Sequence, residues 1–98
     1  MKIEKVQKDD LLTVSLEGRL DTLTAPELTK ALEESLPNVQ KLTLDLKDLE
    51  YISSSGLRVL LSVQKEMAQK GGMKLVNVNE IVMEILEITD FTSILTIE

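Results

Sequence analysis

The chain has 98 residues, 43% of them hydrophobic, with a formal charge of −6 and neither His nor Cys. That length suits one domain and that apolar content suits one core, while the missing His and Cys exclude a Ser-His-Asp triad, imidazole acid–base chemistry, a thiolate nucleophile and a Cys/His zinc site. The acidic balance, with one Tyr and one Phe, offers neither the Lys/Arg clusters that bind phosphate backbones nor the aromatic platforms that bind single strands, so nucleic acid and anionic membrane surfaces are poor partners.

Ile3-Glu4-Lys5-Val6 reads as a short strand, and Lys8-Asp9-Asp10 as a hairpin turn, because Asp tolerates turn conformations. Leu12 to Glu17 alternates apolar and polar residues, the pattern of a half-buried strand, and Gly18 is expected to end it. Thr24-Ala25-Pro26-Glu27 has the form of a capping box, with Thr24 as N-cap and Glu27 three residues on. Leu28, Ala31, Leu32 and Leu36 then follow at helical spacing until Pro37-Asn38. Leu42 to Leu46 alternates again and predicts a strand followed by a connecting loop. Ser53-Ser54-Ser55-Gly56 opens a second helix running to about Lys70, closed by Gly71-Gly72. Met73 to Val78 predicts a strand. Asn79 can cap a third helix whose core face is Ile81 or Val82 with Ile85, Leu86 and Ile88, and Ile94 to Ile97 suggests a last short strand.

The order β-β-α-β-α-β-α, with an optional final β, predicts an α/β domain over residues 1–98 with a mixed four- to five-stranded sheet. The first two strands form an antiparallel hairpin, and the strand-helix-strand units imply parallel pairing. A sheet covered on both faces reads as continuous apolar runs. Here Thr13, Ser15, Glu17, Thr43 and Asp45 mark a polar face, so the helices are expected mainly on one side. No apolar run approaches the length of a membrane span. The N-terminus lacks the apolar stretch and cleavage site of a signal peptide, so a cytoplasmic location is expected.

The second helix carries the functional signal. Arg58, Ser62, Lys65 and Gln69 form a polar stripe, and Leu60, Val63, Gln64 and Met67 lie roughly opposite as its core face. Leu57, Leu61 and Ala68 fall on the flank. Leu57 and Leu61 either pack on a neighbouring helix or form an exposed ridge that meets a partner. One of the three serines at the helix start is expected to be an N-cap. The same position has free N–H groups and a partial positive charge, so a hydroxyl there is a candidate for phosphorylation. Enzyme readings fare worse. The nucleophile elbow Gly-x-Ser-x-Gly is absent, no Ser-x-x-Lys occurs at this loop, and Gly71-Gly72 does not supply a phosphate loop. The 17 acidic residues are spread among lysines, so a carboxylate-only enzyme or metal site is a distant reading. Neither a cofactor nor a catalytic metal is expected.

Leu44-Asp45-Leu46 followed by Tyr51-Ile52-Ser53-Ser54-Ser55-Gly56-Leu57-Arg58-Val59-Leu60-Leu61 resembles the signature of STAS domains, in particular the bacterial anti-sigma factor antagonists. Gly18-Arg19-Leu20-Asp21 and Thr24-Ala25-Pro26-Glu27-Leu28 resemble the same family's strand-to-helix turn. The resemblance runs through essentially the whole chain. It implies a non-catalytic protein that binds an anti-sigma factor serine kinase and so frees a sigma factor. It also implies a switch: phosphorylation of one serine abolishes binding, and a phosphatase restores it. The family's phosphorylated hydroxyl falls on Ser54. The family pattern has Asp just before that serine, where this chain has Ser53, which leaves Ser53 and Ser55 as alternative acceptors. The family's loop Asp is matched by Asp21, which otherwise reads as a capping or turn residue. The expected contact surface comprises Asp21, Thr22, Ser53, Ser54, Ser55, Gly56, Leu57, Arg58 and Leu61. The alternative reading is a STAS adaptor subunit of a stress-sensing or lipid-transport complex.

Overall fold

Alternation along the strands decides which face of the sheet is covered. The computed structural model describes all 98 residues. Its elements are β1 (Lys2–Lys8), β2 (Leu11–Leu20), α1 (Ala25–Ser35), β3 (Lys41–Ile52), α2 (Ser54–Ala68), β4 (Met73–Val76) and α3 (Glu80–Ile88). The sheet order is β1-β2-β3-β4, with β1 antiparallel to β2 and the other pairs parallel. Asp9, at φ 56°, makes the hairpin turn between β1 and β2. Leu12, Val14 and Leu16 of β2, Leu42, Leu44 and Leu46 of β3, and Leu75 of β4 are at most 1% exposed and share one core with Leu28, Leu60, Met67, Val82 and Leu86 of the helices. Burying a side chain of this kind contributes roughly 1.5–3 kcal/mol, so this single layered core is what holds the sheet against the helices. The intervening positions Ser15 and Asp45 are half-buried and Glu17 is exposed, as the polar-face reading requires. Thr43, on the same face, is buried at 8% exposure, because its short side chain lies between Thr13 and Lys74 in register.

Two strands run further than their alternation suggests. β2 does not end at Gly18. It passes through that residue at φ +103°, a conformation that favours glycine, and continues to Leu20. β3 has no connecting loop after Leu46 but extends to Ile52. Ser15 pairs Asp45 while Glu17 pairs Asp48, and Gly18 pairs Leu49 while Arg19 pairs Tyr51, so β3 carries an extra residue at each of two bulges. Its core-facing positions therefore run 42, 44, 46, 49, 52, stepping by three instead of two at each bulge, and all five are buried.

Smaller departures follow local chemistry. β4 stops at Val76, because Asn77 turns the chain at φ 54°. α2 stops at Ala68, two residues before Lys70, and Gly72 follows at φ +95° with its N–H bonded to Met67 O at 2.9 Å. α3 is capped by Asn79, whose side chain accepts from Val82 N–H at 3.0 Å. Asn79 also donates to Leu49 O at 2.6 Å, which fixes α3 on the bulged part of β3. The buried face of α3 is Val82 and Leu86 with Ile85 partly covered; Ile88, expected in the core, is 77% exposed, and Ile81 is 61% exposed. The anticipated last strand is reduced to one parallel bridge, Leu75 with Ile97.

Candidate functional site

Parallel pairing brings the C-terminal ends of β2 and β3 together. Leu20 pairs Ile52, and the Ser53 N–H donates to Leu20 O at 2.8 Å. The segment Asp21–Thr24 after β2 and the first turn of α2 after β3 are therefore neighbours at one end of the sheet. Gly56 sets how closely they approach. A Cβ there would lie 2.7 Å from Leu20 Cγ, 2.9 Å from Ile52 Cγ1 and 3.0 Å from Leu20 O. Only a residue without a side chain lets the start of α2 rest on the end of the sheet.

The segment after β2 is a clamped turn, and the expected capping box does not form. Thr24 holds helical dihedrals and its side chain makes no cap bond to α1. Its hydroxyl turns back instead, donating to Arg19 O at 2.7 Å and accepting from Asp21 N–H at 2.8 Å. Asp21 closes the turn before the helix: its Oδ1 accepts from Leu23 N–H at 3.0 Å and Thr24 N–H at 3.1 Å. The bond from the Thr24 N–H is the main reason the Asp21 carboxyl sits below its ordinary pKa; the Leu23 N–H, the Thr24 hydroxyl and Arg19 act in the same direction, against partial desolvation. Arg19 Nε lies 3.8 Å from Asp21 Oδ2, and its guanidinium is 4.4 Å from the centre of the Tyr51 ring on the paired strand.

The three serines of α2 have three different environments. Ser53 is the N-cap: extended at φ −93° and ψ 175°, it accepts from Gly56 N–H at 3.3 Å through its side chain. The Ser55 hydroxyl is 3.1 Å from that of Thr22, a bond that ties α2 to the clamped turn. Ser54 is exposed and its hydroxyl has no protein partner. It stands on the first residue of a 15-residue helix with no acidic residue in its first turn, where the N–H groups and helix dipole favour an anion.

Of the residues expected on the contact surface, the fold brings Asp21, Thr22, Ser53, Ser54, Ser55 and Arg58 to this end. Thr22, Ser54 and Arg58 are exposed, and Asp21, Ser53 and Ser55 are half-buried. Leu61 is half-buried one turn further along the helix. Gly56 and Leu57 are not exposed at this end. Gly56 is buried against Leu20 and Ile52, and Leu57, 5% exposed, joins Leu60 and Met67 in the core. The polar stripe Arg58, Ser62, Lys65 and Gln69 is exposed as the spacing predicts. The sequence reading passed over Leu23. It is 85% exposed, more than any other large hydrophobic side chain of the chain. Its place directly before Thr24, outside the helical period of α1, was the available signal.

A model of the STAS domain matches residues 2–98. The anti-sigma F factor antagonist of Paenibacillus polymyxa is 33% identical over 100 residues, a match spanning 99% of this chain and 86% of that protein. Among solved structures, an anti-sigma factor antagonist from Mycobacterium paratuberculosis superposes with a TM-score of 0.88 at 22% identity, covering 98% of this chain and 83% of that one. The Bacillus cell fate determinant SpoIIAA in its phosphorylated form superposes with a TM-score of 0.75 at 14% identity, covering 99% and 91%. At these identities the solved structures speak to the fold.

Proposed function

Because the chain belongs to the STAS domain family, we propose that it is an anti-sigma factor antagonist: it binds an anti-sigma factor that is also a serine kinase, the sigma factor is released, and phosphorylation of Ser54 stops binding until a phosphatase removes the group. It acts by binding and not by catalysis. The observation that carries this reading is the state of the three serines, in a chain 33% identical to a known antagonist. Ser53 is occupied as the cap and Ser55 is bonded to Thr22, while the Ser54 hydroxyl is exposed and unengaged. The contact surface is then Asp21, Thr22, Ser53, Ser54, Ser55, Arg58 and Leu61, without the buried Gly56 and Leu57.

Magnitudes support a switch at this atom. A phosphoserine adds about −1.5 to −2 charges. At a helix N-terminus that charge is favourable by roughly 0.3–1 kcal/mol, so the free domain tolerates it. A protein of the same fold exists in a phosphorylated form. Against a partner the balance reverses. Burying an unpaired charged group costs several kcal/mol by order of magnitude, and about 1.4 kcal/mol is a tenfold loss of affinity. Phosphate therefore breaks the complex and leaves the fold intact.

The test begins with capture of the anti-sigma factor kinase by the wild-type chain, followed by incubation of the purified pair with ATP and localisation of the phosphate by mass spectrometry. The expected product carries one phosphate on Ser54. Ser54→Asp is expected to weaken binding, partially because it adds a single charge, and Ser54→Ala to bind whether or not ATP is present. Phosphate on Ser53 or Ser55 would reassign the acceptor. No phosphate with a proven kinase partner would remove the switch and leave a non-catalytic adaptor.

A further inference from the structure

Of the two leucines expected to offer an apolar ridge to a partner, Leu57 is in the core and Leu61 is half-buried. An exposed leucine stands on the other side of the site. We propose that Leu23 is the apolar anchor by which the chain grips its anti-sigma factor; the proposal rests on the reading above and names the residue that gives it affinity.

Three observations converge on this side chain. The first is exposure against the local rule. A hydrophobic residue just before a helix N-cap commonly packs on the fourth residue of the helix. Here those positions are Leu23 and Leu28. Leu28 is fully buried, and Leu23 remains 85% exposed. The staple is absent because Thr24 is already helical, at φ −98° and ψ −19°, and its hydroxyl is committed to Arg19 O and Asp21 N–H.

The second observation is rigidity. Asp21 Oδ1 accepts from the Leu23 N–H and from the Thr24 N–H, and Ala25 N–H donates to Asp21 O at 2.8 Å. An exposed leucine on a loose loop would lose backbone and side-chain freedom on binding. Here the backbone is held beforehand, so only the side chain loses freedom, and preorganisation of that kind lowers the cost of binding.

The third is continuity with the switch. Leu23 follows Thr22, whose hydroxyl meets that of Ser55, the residue after the acceptor. A shallow cleft lined by Thr22, Pro26, Lys30, Glu33, Ser55 and Val59 runs along α1 beside the start of α2. A partner that covers Ser54 closely enough to be displaced by its phosphate also covers this turn. Leu23 is the exposed apolar side chain of this turn, and burying such a side chain against a partner contributes roughly 1.5–3 kcal/mol.

The experiment measures affinity for the anti-sigma factor kinase captured by the wild-type chain and then purified. Leu23→Ser is expected to bind at least tenfold more weakly with an unchanged melting temperature, since the side chain packs on nothing in the free domain. Leu23→Met, which keeps the apolar area, is expected to restore affinity to within about threefold. Val6→Ser, at a residue 67% exposed on β1, serves as a remote control and is expected to bind like the wild type. A Leu23→Ser protein that binds as tightly as the wild type, while Ser54→Asp is weakened, would overturn the anchor and leave the functional reading standing. A wild-type chain that binds no anti-sigma factor would overturn both.

Discussion

Replacing Gly56 by Ala sets two effects of opposite sign against each other. Gly56 is the third residue of α2, and Ala is favoured over Gly in a helix by about 1 kcal/mol. On helix propensity alone the variant is more stable. The packing says otherwise. The added methyl would lie 2.7 Å from Leu20 Cγ and 2.9 Å from Ile52 Cγ1, well inside the 3.4–4 Å of ordinary contact. Leu20 and Ile52 are 0% and 1% exposed, so neither can swing into solvent, and the third close atom is the backbone oxygen of Leu20. Overpacking of a full core costs typically about 1–3 kcal/mol. The propensity gain offsets only part of this, less still in a first turn where hydrogen bonding is incomplete. A net loss of about 1–2 kcal/mol is expected, which for a domain of this size lowers the melting temperature by roughly 4–8 °C per kcal/mol. The start of α2 should also shift away from β2, lengthening the Thr22–Ser55 bond. Thermal denaturation by circular dichroism measures the first effect, and amide shifts of Thr22 and Ser55 report the second. A Gly56→Ala protein as stable as the wild type would refute the argument that this glycine is there for close approach.

The division of roles among the serines makes a further prediction: Ser53→Ala loses the cap and is expected to cost about 1 kcal/mol, whereas Ser54→Ala is expected within about 0.5 kcal/mol of wild type; urea titration of both variants checks the order, and a reversal would exchange the cap and the free hydroxyl. Asp21 predicts a pH effect whose direction follows from its lowered pKa. Its contribution to the turn is fully present above the unfolded value of about 3.9 and is lost as pH falls through the lower folded value. The amide resonances of Leu23 and Thr24 should therefore titrate below about pH 3.9, and a midpoint at or above that value would contradict the hydrogen bonds assigned to this carboxylate.

The sequence makes the covered and open faces of the sheet legible because β2 and the first half of β3 keep a strict period of two: Leu12, Val14, Leu16 and Leu42, Leu44, Leu46. The second half of β3 was not legible for the same reason. Leu46, Leu49 and Ile52 are spaced by three, which breaks the strand pattern and is too short to establish a helix. Only the parallel partner explains the spacing: each bulge inserts a residue so that Leu49 stays level with Gly18 and Ile52 with Leu20. Gly18 misled in the same way, reading as an ending where it serves as a special conformation within a strand. Asn79 was legible because a cap bond spans three residues. Thr24 was not, because its hydroxyl is taken by Arg19 and Asp21, a competition that depends on the path of the chain out of β2. At the site, the position and accessibility of Ser54 followed from its place at a helix start. Leu57 did not, since a helical wheel gives direction but not how far the sheet extends beneath it, and the bulged end of β3 reaches as far as Ile52.

The bulged extension also explains how Ser53 can stand where the family pattern has Asp. The position lies immediately after Ile52, extended, with its N–H on Leu20 O and its side chain accepting from Gly56 N–H. What the fold requires there is a short side chain with an acceptor oxygen, and Ser and Asp serve about equally as N-caps. The two differ in charge. With Asp, the tip of α2 would carry about −1 before modification and roughly −2.5 to −3 after it, using −1.5 to −2 for the phosphate. With Ser53 the first turn is neutral, since it holds no acidic residue, and a phosphate on Ser54 would be its first charge. The free N–H groups of the helix would then face one anion instead of two adjacent ones, and a domain phosphorylated there would avoid a like-charge contact at its own surface. The cap is kept, the proposed switch goes from neutral to charged, and the nearest fixed negative charge on the neighbouring loop is Asp21, already engaged by the N–H groups of Leu23 and Thr24.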